Sequence, residues 1–109
     1  MNFNRYDICW VDLQPVRGAE MSKIRPAVIV SLEALNRELQ TVVVCPVTSR
    51  IHPGWRSRIQ FKLRNKTAEV AADQIRVVAR ERLGRKIGRL GVSEAAALRR
   101  VLTEMYGEA

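Results

Sequence analysis

Hydrophobic residues occur along the chain in short runs that are separated by Gly, Pro and polar residues. Three runs rich in β-branched residues are typical of buried strands, and they cover residues 8–13, 26–31 and 41–47. Residues 57–63 instead alternate between apolar and polar or basic side chains, which predicts a strand with one face in the core and the other in solvent. Two weaker strands are predicted at 68–71 and 74–78.

Helical patterns are confined to two segments. Residues 32–39 predict a short helix between strands. Residues 93–106 predict a longer helix, with Ser93 as N-cap, an apolar stripe that includes Leu98 and Met105, and Gly107 at its end. We therefore predict a mainly β fold with some α structure, in which a small curved antiparallel sheet or partly open barrel carries a C-terminal helix.

Two connections are long for a small sheet. They cover residues 14–24 and 49–56, and the second contains His52 and Trp55. Hairpin loops usually have about 2 to 5 residues, and longer loops on a rigid scaffold are common locations for binding and catalytic groups. We expect the functional groups of this chain on or beside these two loops.

The composition indicates one folded domain. The chain has 109 residues, 47% of them hydrophobic, and no linker or repeat divides it, so we expect a single domain over residues 1–109. Its apolar stretches are too short to span a bilayer and no secretory h-region follows Met1, which predicts a cytoplasmic protein without membrane contact. Cys9 and Cys45 lie within apolar runs and are predicted to be buried thiols.

The charge distribution points to a polyanionic partner. The formal net charge is +8, and residues 50–109 carry 14 basic and 6 acidic residues whereas residues 1–49 carry 5 of each. A folded basic domain favours nucleic acid as the partner, although a basic solvated surface would have the same composition.

Motifs for metal and nucleotide chemistry are missing from the sequence. There is one histidine, and no HExxH, CxxC, GxGxxG or P-loop pattern, so we expect no metal and no cofactor. An enzyme that acts on phosphates without a metal needs Arg and hydroxyl donors to stabilise charge, and a carboxylate to move a proton.

Two residues have the chemistry and the position for this task. Arg25 precedes Pro26, which favours an extended backbone at the start of a strand, and its guanidinium can hold a phosphate through two N–H bonds. Thr48 ends the run 41–47 beside the second long loop. Its hydroxyl can donate to a phosphate oxygen or bond the local backbone, and the spacing alone leaves both roles open.

Four blocks of the sequence, in this order, resemble the MazF/PemK family of toxin ribonucleases. They are DICWVDLQPVRGAE at 7–20, RPAVIVS at 25–31, VCPVTS at 44–49 and ADQIR at 72–76. The resemblance implies a CcdB-type fold related to SH3-like barrels, assembled as a homodimer. It also implies a metal-independent endoribonuclease that cleaves single-stranded RNA at a short sequence and is neutralised by a small antitoxin.

The resemblance also assigns catalytic residues. The family's catalytic Arg falls on Arg25 and its catalytic Thr on Thr48, while the Glu of its Gly-Ser-Glu motif falls on Glu20, with Ala19 in place of Ser. In the PemK-like branch an Arg two positions before Asp73 takes part in catalysis. Here that position is Ala71, so the chain is more similar to the MazF-like branch.

The implied reaction is attack by the ribose 2′-OH on the adjacent phosphate, which leaves a 2′,3′-cyclic phosphate and a 5′-OH. Glu20 is our candidate base, because a guanidinium with a pKa above about 12 is a poor base at neutral pH. Trp55 is the candidate for base stacking, unless it folds its loop onto the core. The predicted RNA-binding residues are Arg17, Lys23, Ser49, Trp55, Arg56, Asp73, Gln74 and Arg76.

Two other functions remain open at this point. A non-catalytic nucleic-acid-binding barrel would have the same fold and charge, and a CcdB-type toxin that inhibits gyrase would share the architecture. A basic groove for RNA also predicts how an antitoxin binds: an acidic, disordered tail folds into the groove and places carboxylates where phosphates would lie.

Overall fold

The computed structural model describes residues 2–14, 18–19 and 23–107. Seven strands and two helices make up most of this part of the chain. In chain order they are β1 (Asp7–Asp12), β2 (Ile24–Ile29), α1 (Glu33–Glu38), β3 (Thr41–Thr48), β4 (Arg58–Leu63), β5 (Lys66–Ala71), β6 (Arg76–Ala79), β7 (Leu83–Arg89) and α2 (Val92–Tyr106).

The strands form one antiparallel sheet in the order β4-β5-β3-β2-β1-β7. β3 is its central strand. One edge of β3 pairs with β2, whereas the other pairs with β6 over residues 41–44 and with β5 at residues 47–48. Since β3 changes partner along its length, the sheet bends there.

A two-residue turn joins β4 to β5. Arg64 and Asn65 both have positive φ, at 51° and 68°, as a type I′ turn requires. Such a turn matches the right-handed twist of the strands and sets their register, which pairs Leu63 with Lys66 and Arg58 with Ala71.

Alternate residues of the strands enter two separate cores. Val28, Cys45 and Val47 belong to the core beneath α2, which also contains the fully buried Leu98. Ala27 and Val44, their neighbours in sequence, belong to the second core on the opposite face. The sheet therefore has a face covered by α2 and a face directed away from it.

The predicted fold class is confirmed: the structure is a curved antiparallel sheet with a C-terminal helix. The sequence reading missed β7, whose Gly84 and Gly88 interrupt any apolar alternation. Gly84 lies against β1, where an added Cβ would be 3.3 Å from the Cβ of Trp10. A side chain in that place would need β1 and β7 to separate slightly.

Two details predicted for the C-terminal helix were wrong. Gly91, not Ser93, is the N-cap, because the helix begins one residue earlier at Val92. Met105 is 37% exposed rather than buried, because the packed stripe ends at Leu102. The helix does end at Gly107, as predicted.

Both cysteines are buried and free, as expected. Burial raises the pKa of Cys45 to about 12 and that of Cys9 to about 11, with the nearby Asp73 and Asp7 charges adding to the respective effects. Both thiols are therefore protonated and unreactive at neutral pH. No helix within the described ranges is long and apolar enough to cross a membrane.

Candidate active site

The strand register brings the two candidate catalytic residues together. β2 and β3 pair Ala27 with Pro46, and Arg25 and Thr48 lie two residues beyond this pair on the two strands and line the same cavities. On the other side of β3, Thr48 pairs with Glu69 of β5, and Glu69 pairs in turn with Gln60 of β4. Arg25, Thr48, Glu69 and Gln60 thus form a row across four strands, which we call the cross-strand row.

The cross-strand row lies on the sheet face directed away from α2. Residues directly opposite each other in a sheet point to the same face, with Cβ atoms about 4.5–5.5 Å apart. Val47, Ala68 and Val70, which flank the row along β3 and β5, belong to the core beneath α2. The row residues alternate with them along the strands, so the side chains of the row point to the opposite face of the sheet.

Two adjoining cavities meet at Arg25, Thr48 and Ser49. The larger one, about 590 Å³, runs below the second long loop, and we call it the groove. Its described lining also includes Ala19 of the first long loop. The smaller cavity, about 310 Å³, extends from the same three residues to the β4–β5 hairpin, where Lys66 and Thr67 line it. Arg25 and Thr48 therefore lie where open space extends in two directions along the surface.

Thr48 has the geometry of a hydrogen-bond donor. Its Oγ1 accepts the backbone N–H of Arg50 at 3.1 Å, which fixes the hydroxyl oxygen at the end of β3. A hydroxyl group that accepts one bond still has its own proton to donate. The two roles that the sequence left open are therefore compatible: Thr48 bonds local backbone and keeps a donor for a ligand in the groove.

The loop between β3 and β4 presents an aromatic pair at the groove. The rings of His52 and Trp55 stack with their centroids 3.9 Å apart, and the Arg58 guanidinium lies 4.8 Å from the Trp55 ring centroid. Trp55 remains 50% exposed. It does not fold onto the core, and half of its surface is exposed beside the groove.

Arg58 connects two carboxylates beneath this loop. Its Nη1 donates to Glu69 Oε1 at 3.2 Å and its Nε donates to Asp73 Oδ1 at 2.8 Å. We call these three residues the Arg58 cluster. Burial raises the pKa of Asp73, but hydrogen bonds from Arg58 and Ser57 and the Arg58 charge lower it more, so the net pKa is below its usual value.

Most of the predicted residues that the structure describes converge on the groove. Its described lining includes Arg25, Thr48, Ser49, Trp55, Asp73 and Gln74. Lys23, Arg56 and Arg76 are absent from that lining: Arg56 pairs with Glu104 on α2, and Arg76 donates to the Leu13 carbonyl at 3.0 Å. Arg17 and Glu20, predicted for RNA binding and catalysis, lie outside the described residues.

Comparisons with known proteins identify the family of the chain. Residues 4–106 match the family model described as PemK-like, MazF-like toxin of type II toxin-antitoxin system. The chain belongs to this family. The family resemblance inferred from the four sequence blocks is thereby confirmed.

Relatives of the PemK/MazF family resemble the chain in sequence and in fold. Endoribonuclease MazF9 of Mycobacterium tuberculosis is 37% identical over 86% of this chain and 87% of its own length. The crystal structure of MazF from Deinococcus radiodurans has a TM-score of 0.86 at 25% identity, covering 99% of each chain. A MazE–MazF structure from the same organism has a TM-score of 0.82 at 23% identity, covering 100% of each chain. The predicted endoribonuclease class is thus confirmed at the level of the family.

Sequence reasoning missed the role of Glu69 and Arg58. Glu69 is the one charged residue of the otherwise neutral stretch 67–71, a signal that was present but unused. Arg58 faces Ala71 across the β4–β5 hairpin, so it supplies the guanidinium beside Asp73 that position 71 of this chain lacks. That pairing depends on the hairpin register, which the sequence pattern did not specify.

Asp73→Asn should destabilise the protein in a pH-dependent way. The carboxylate is more acidic in the folded state, so its ionised form stabilises the fold above the unfolded pKa of about 3.9, and this contribution is lost as pH falls through the folded pKa. We expect the difference in unfolding free energy between wild type and variant to be constant near neutrality and to shrink in acid. Urea unfolding from pH 7 to pH 2.5 measures it.

Asp12→Asn is the matched control, because Asp12 is exposed at the end of β1. The comparison shows which part of the pH dependence is specific to the Asp73 carboxylate. A difference for Asp73→Asn that stayed constant down to pH 2.5 would contradict the Arg58–Asp73 interaction.

Proposed function

We propose that this chain is a metal-independent endoribonuclease that cleaves single-stranded RNA at a short recognised sequence. The observation that carries the proposal is that Arg25 and Thr48 together line both cavities at the point where these meet. A phosphate at that point would receive a charged and a neutral donor from two rigid strands. Oriented donors of this kind stabilise charge that develops in a transition state.

In the proposed reaction the ribose 2′-oxygen forms a bond to the adjacent phosphorus and the bond from phosphorus to the 5′-oxygen breaks. The products are a 2′,3′-cyclic phosphate and a 5′-OH. Arg25 holds the phosphate and is our candidate to protonate the leaving 5′-oxygen, while Thr48 donates to a non-bridging oxygen. DNA lacks the 2′-OH nucleophile, so the reaction itself restricts cleavage to RNA.

Glu20 is the proposed base that accepts the 2′-OH proton. It follows Ala19 in the sequence, and Ala19 lines the groove. A carboxylate is suited to accept this proton at neutral pH, whereas the guanidinium of Arg25 is already protonated before the reaction and so can act only as a donor.

The groove supplies the proposed RNA contacts. The stacked His52–Trp55 pair offers partly exposed aromatic surface to a base, and every base has a π-face, so contact there tolerates many sequences. Ser49 and Gln74 line the groove with polar side chains that can read base edges. Recognition of unpaired bases in this way requires single-stranded RNA.

A toxin of this kind is also proposed to act as a homodimer in the cytoplasm, with residues 1–109 as one toxin domain, and to bind a small antitoxin. The support for the antitoxin is the family membership and the named MazE–MazF complex of Deinococcus radiodurans. The chain's net charge of +8 favours an acidic partner segment.

Arg25→Lys and Thr48→Val should each lower the cleavage rate by about 10²- to 10³-fold, because each removes one oriented donor from the phosphate. The rate is measured on a random-sequence single-stranded RNA pool in EDTA, with sequencing of the fragment ends. Arg37→Lys and Thr41→Val are the matched controls, since both residues are exposed and outside the described linings of the two cavities.

Three results would oppose this proposal. Binding of RNA without cleavage by the wild type would favour a non-catalytic binding barrel. Inhibition of gyrase supercoiling with intact RNA would favour the CcdB-type toxin. Cleavage that required an added divalent cation would refute metal independence.

Glu20→Gln should abolish the acidic limb of the pH–rate profile, because the limb reports deprotonation of the general base. Single-turnover cleavage of one RNA oligonucleotide from pH 4 to pH 9 measures it, with Glu33→Gln as the control from an exposed position on α1. An unchanged acidic limb in Glu20→Gln would remove Glu20 from the role of base.

A short reading frame beside the gene for this chain should encode a protein that ends in acidic and apolar residues and inhibits cleavage. We expect the inhibition to weaken with rising salt, because it depends on charge attraction. Light scattering should give the mass of a dimer for the chain alone and a larger mass for the complex. A monomeric chain, or a neighbouring product without inhibition, would contradict this part of the proposal.

A further inference from the structure

Glu69 is a buried carboxylate that the proposed mechanism does not use. The residue is 0% exposed, at the centre of the cross-strand row beside Thr48. Burial of a carboxylate is costly unless charged and polar partners surround it. The hydrogen-bond partners of Glu69 therefore indicate what this residue does in the sheet.

Both oxygens of Glu69 accept hydrogen bonds from different parts of the site. Oε1 accepts Nη1 of Arg58 at 3.2 Å. Oε2 accepts the backbone N–H of His52 at 3.0 Å and Nε2 of Gln60 at 3.5 Å. One side chain thus ties the loop between β3 and β4 to the side chains of β4.

The loop is tied to the Arg58 cluster at a second place. The Arg58 guanidinium, whose side chain is only 5% exposed, lies 4.8 Å from the Trp55 ring centroid. The backbone N–H of Trp55 also donates to the His52 carbonyl at 3.2 Å, and that of Arg58 to the Trp55 carbonyl at 3.3 Å. The His52–Trp55 stack is therefore held from His52 at one end and from Arg58 at the other.

We propose that Glu69 is a positioning residue that holds the His52–Trp55 pair ready for RNA bases at the groove. The inference rests on the proposed function, since it assigns the pair to RNA. A surface that is ordered before binding loses less conformational freedom when the ligand binds. Glu69 thus acts on RNA affinity through the loop, while Arg25 and Thr48 act on the phosphate.

Glu69→Gln tests this role because glutamine keeps the shape but has one acceptor oxygen for the three donors that now bond Glu69. We expect KM for a cleaved RNA oligonucleotide to rise about tenfold, within the range for loss of a stacking contact. Since the phosphate donors are unchanged, kcat should remain within about twofold of wild type.

A second readout needs no RNA. In a Trp10→Phe background the remaining fluorescence comes from Trp55, and Glu69→Gln should make that fluorescence more accessible to acrylamide. Glu38→Gln is the matched control, because Glu38 is exposed on α1, and it should change neither KM nor quenching.

A double-mutant cycle with Trp55→Ala separates positioning from other effects. If Glu69 acts through Trp55, Glu69→Gln should change KM by less than about twofold once the ring is absent. Effects of the two substitutions that multiply independently would overturn the proposal. So would a loss of kcat at constant KM, which would assign Glu69 to the reacting atoms.

Arg58→Lys keeps the proposal testable if Glu69→Gln fails to fold. Lysine retains the charge but cannot bond Glu69 and Asp73 with one planar fork, so the same rise in KM and in quenching is expected. If the wild type cleaves no RNA, the proposed function fails, whereas unchanged Trp55 quenching in both variants would overturn the positioning role itself.

Discussion

The pairing of β3 with its neighbours is the constraint on which the rest of the site depends. β3 carries Thr48 at its end, and its register with β2 and β5 determines which side chains lie beside that hydroxyl. A shift of one residue would move Arg25 to the other sheet face, because strand side chains alternate. The two cores oppose such a shift, since it would move the closely packed side chains of each core into the other core. Apolar burial far from the groove thereby holds two polar groups in one place.

The Arg58 cluster adds a second constraint of a different kind. Two carboxylates share one guanidinium, and the buried member, Glu69, also receives a backbone N–H from the loop. Replacement of a buried ion pair by apolar residues is often neutral or stabilising, so stability alone is a weak reason for such a cluster. A polar cluster does specify one geometry, because its donors and acceptors match in only one arrangement. That specificity is useful where Trp55 must remain exposed and yet ordered.

The sequence pattern predicts much of this architecture, and its failures have physical causes. Six strands and both helices follow from apolar periodicity, and the motif blocks lead to Arg25 and Thr48. β7 was missed because it contains two glycines and pairs with β1 through backbone contacts that leave no apolar signature. The Arg58 cluster was missed because it depends on the β4–β5 register. Positive φ at Arg64 and Asn65 fixes that register. Asn tolerates this conformation, but Arg seldom adopts it, so the pair lacks the Asn-Gly pattern that indicates such a turn.

The number of basic residues in the sequence and the contacts that these residues make in the structure lead to different conclusions about ligand binding. The basic excess in residues 50–109 suggested groups that grip RNA, but several of these groups bond within the protein. Arg58 is enclosed by two carboxylates, Arg76 bonds a backbone carbonyl, and Lys86 and Arg89 both pair with the buried Asp7. A net charge of +8 still creates a long-range field that attracts a polyanion. Chemistry at one phosphate depends instead on a few donors in fixed positions. In the proposed function the field therefore favours encounter with RNA, whereas Arg25 and Thr48 act on the phosphate afterwards.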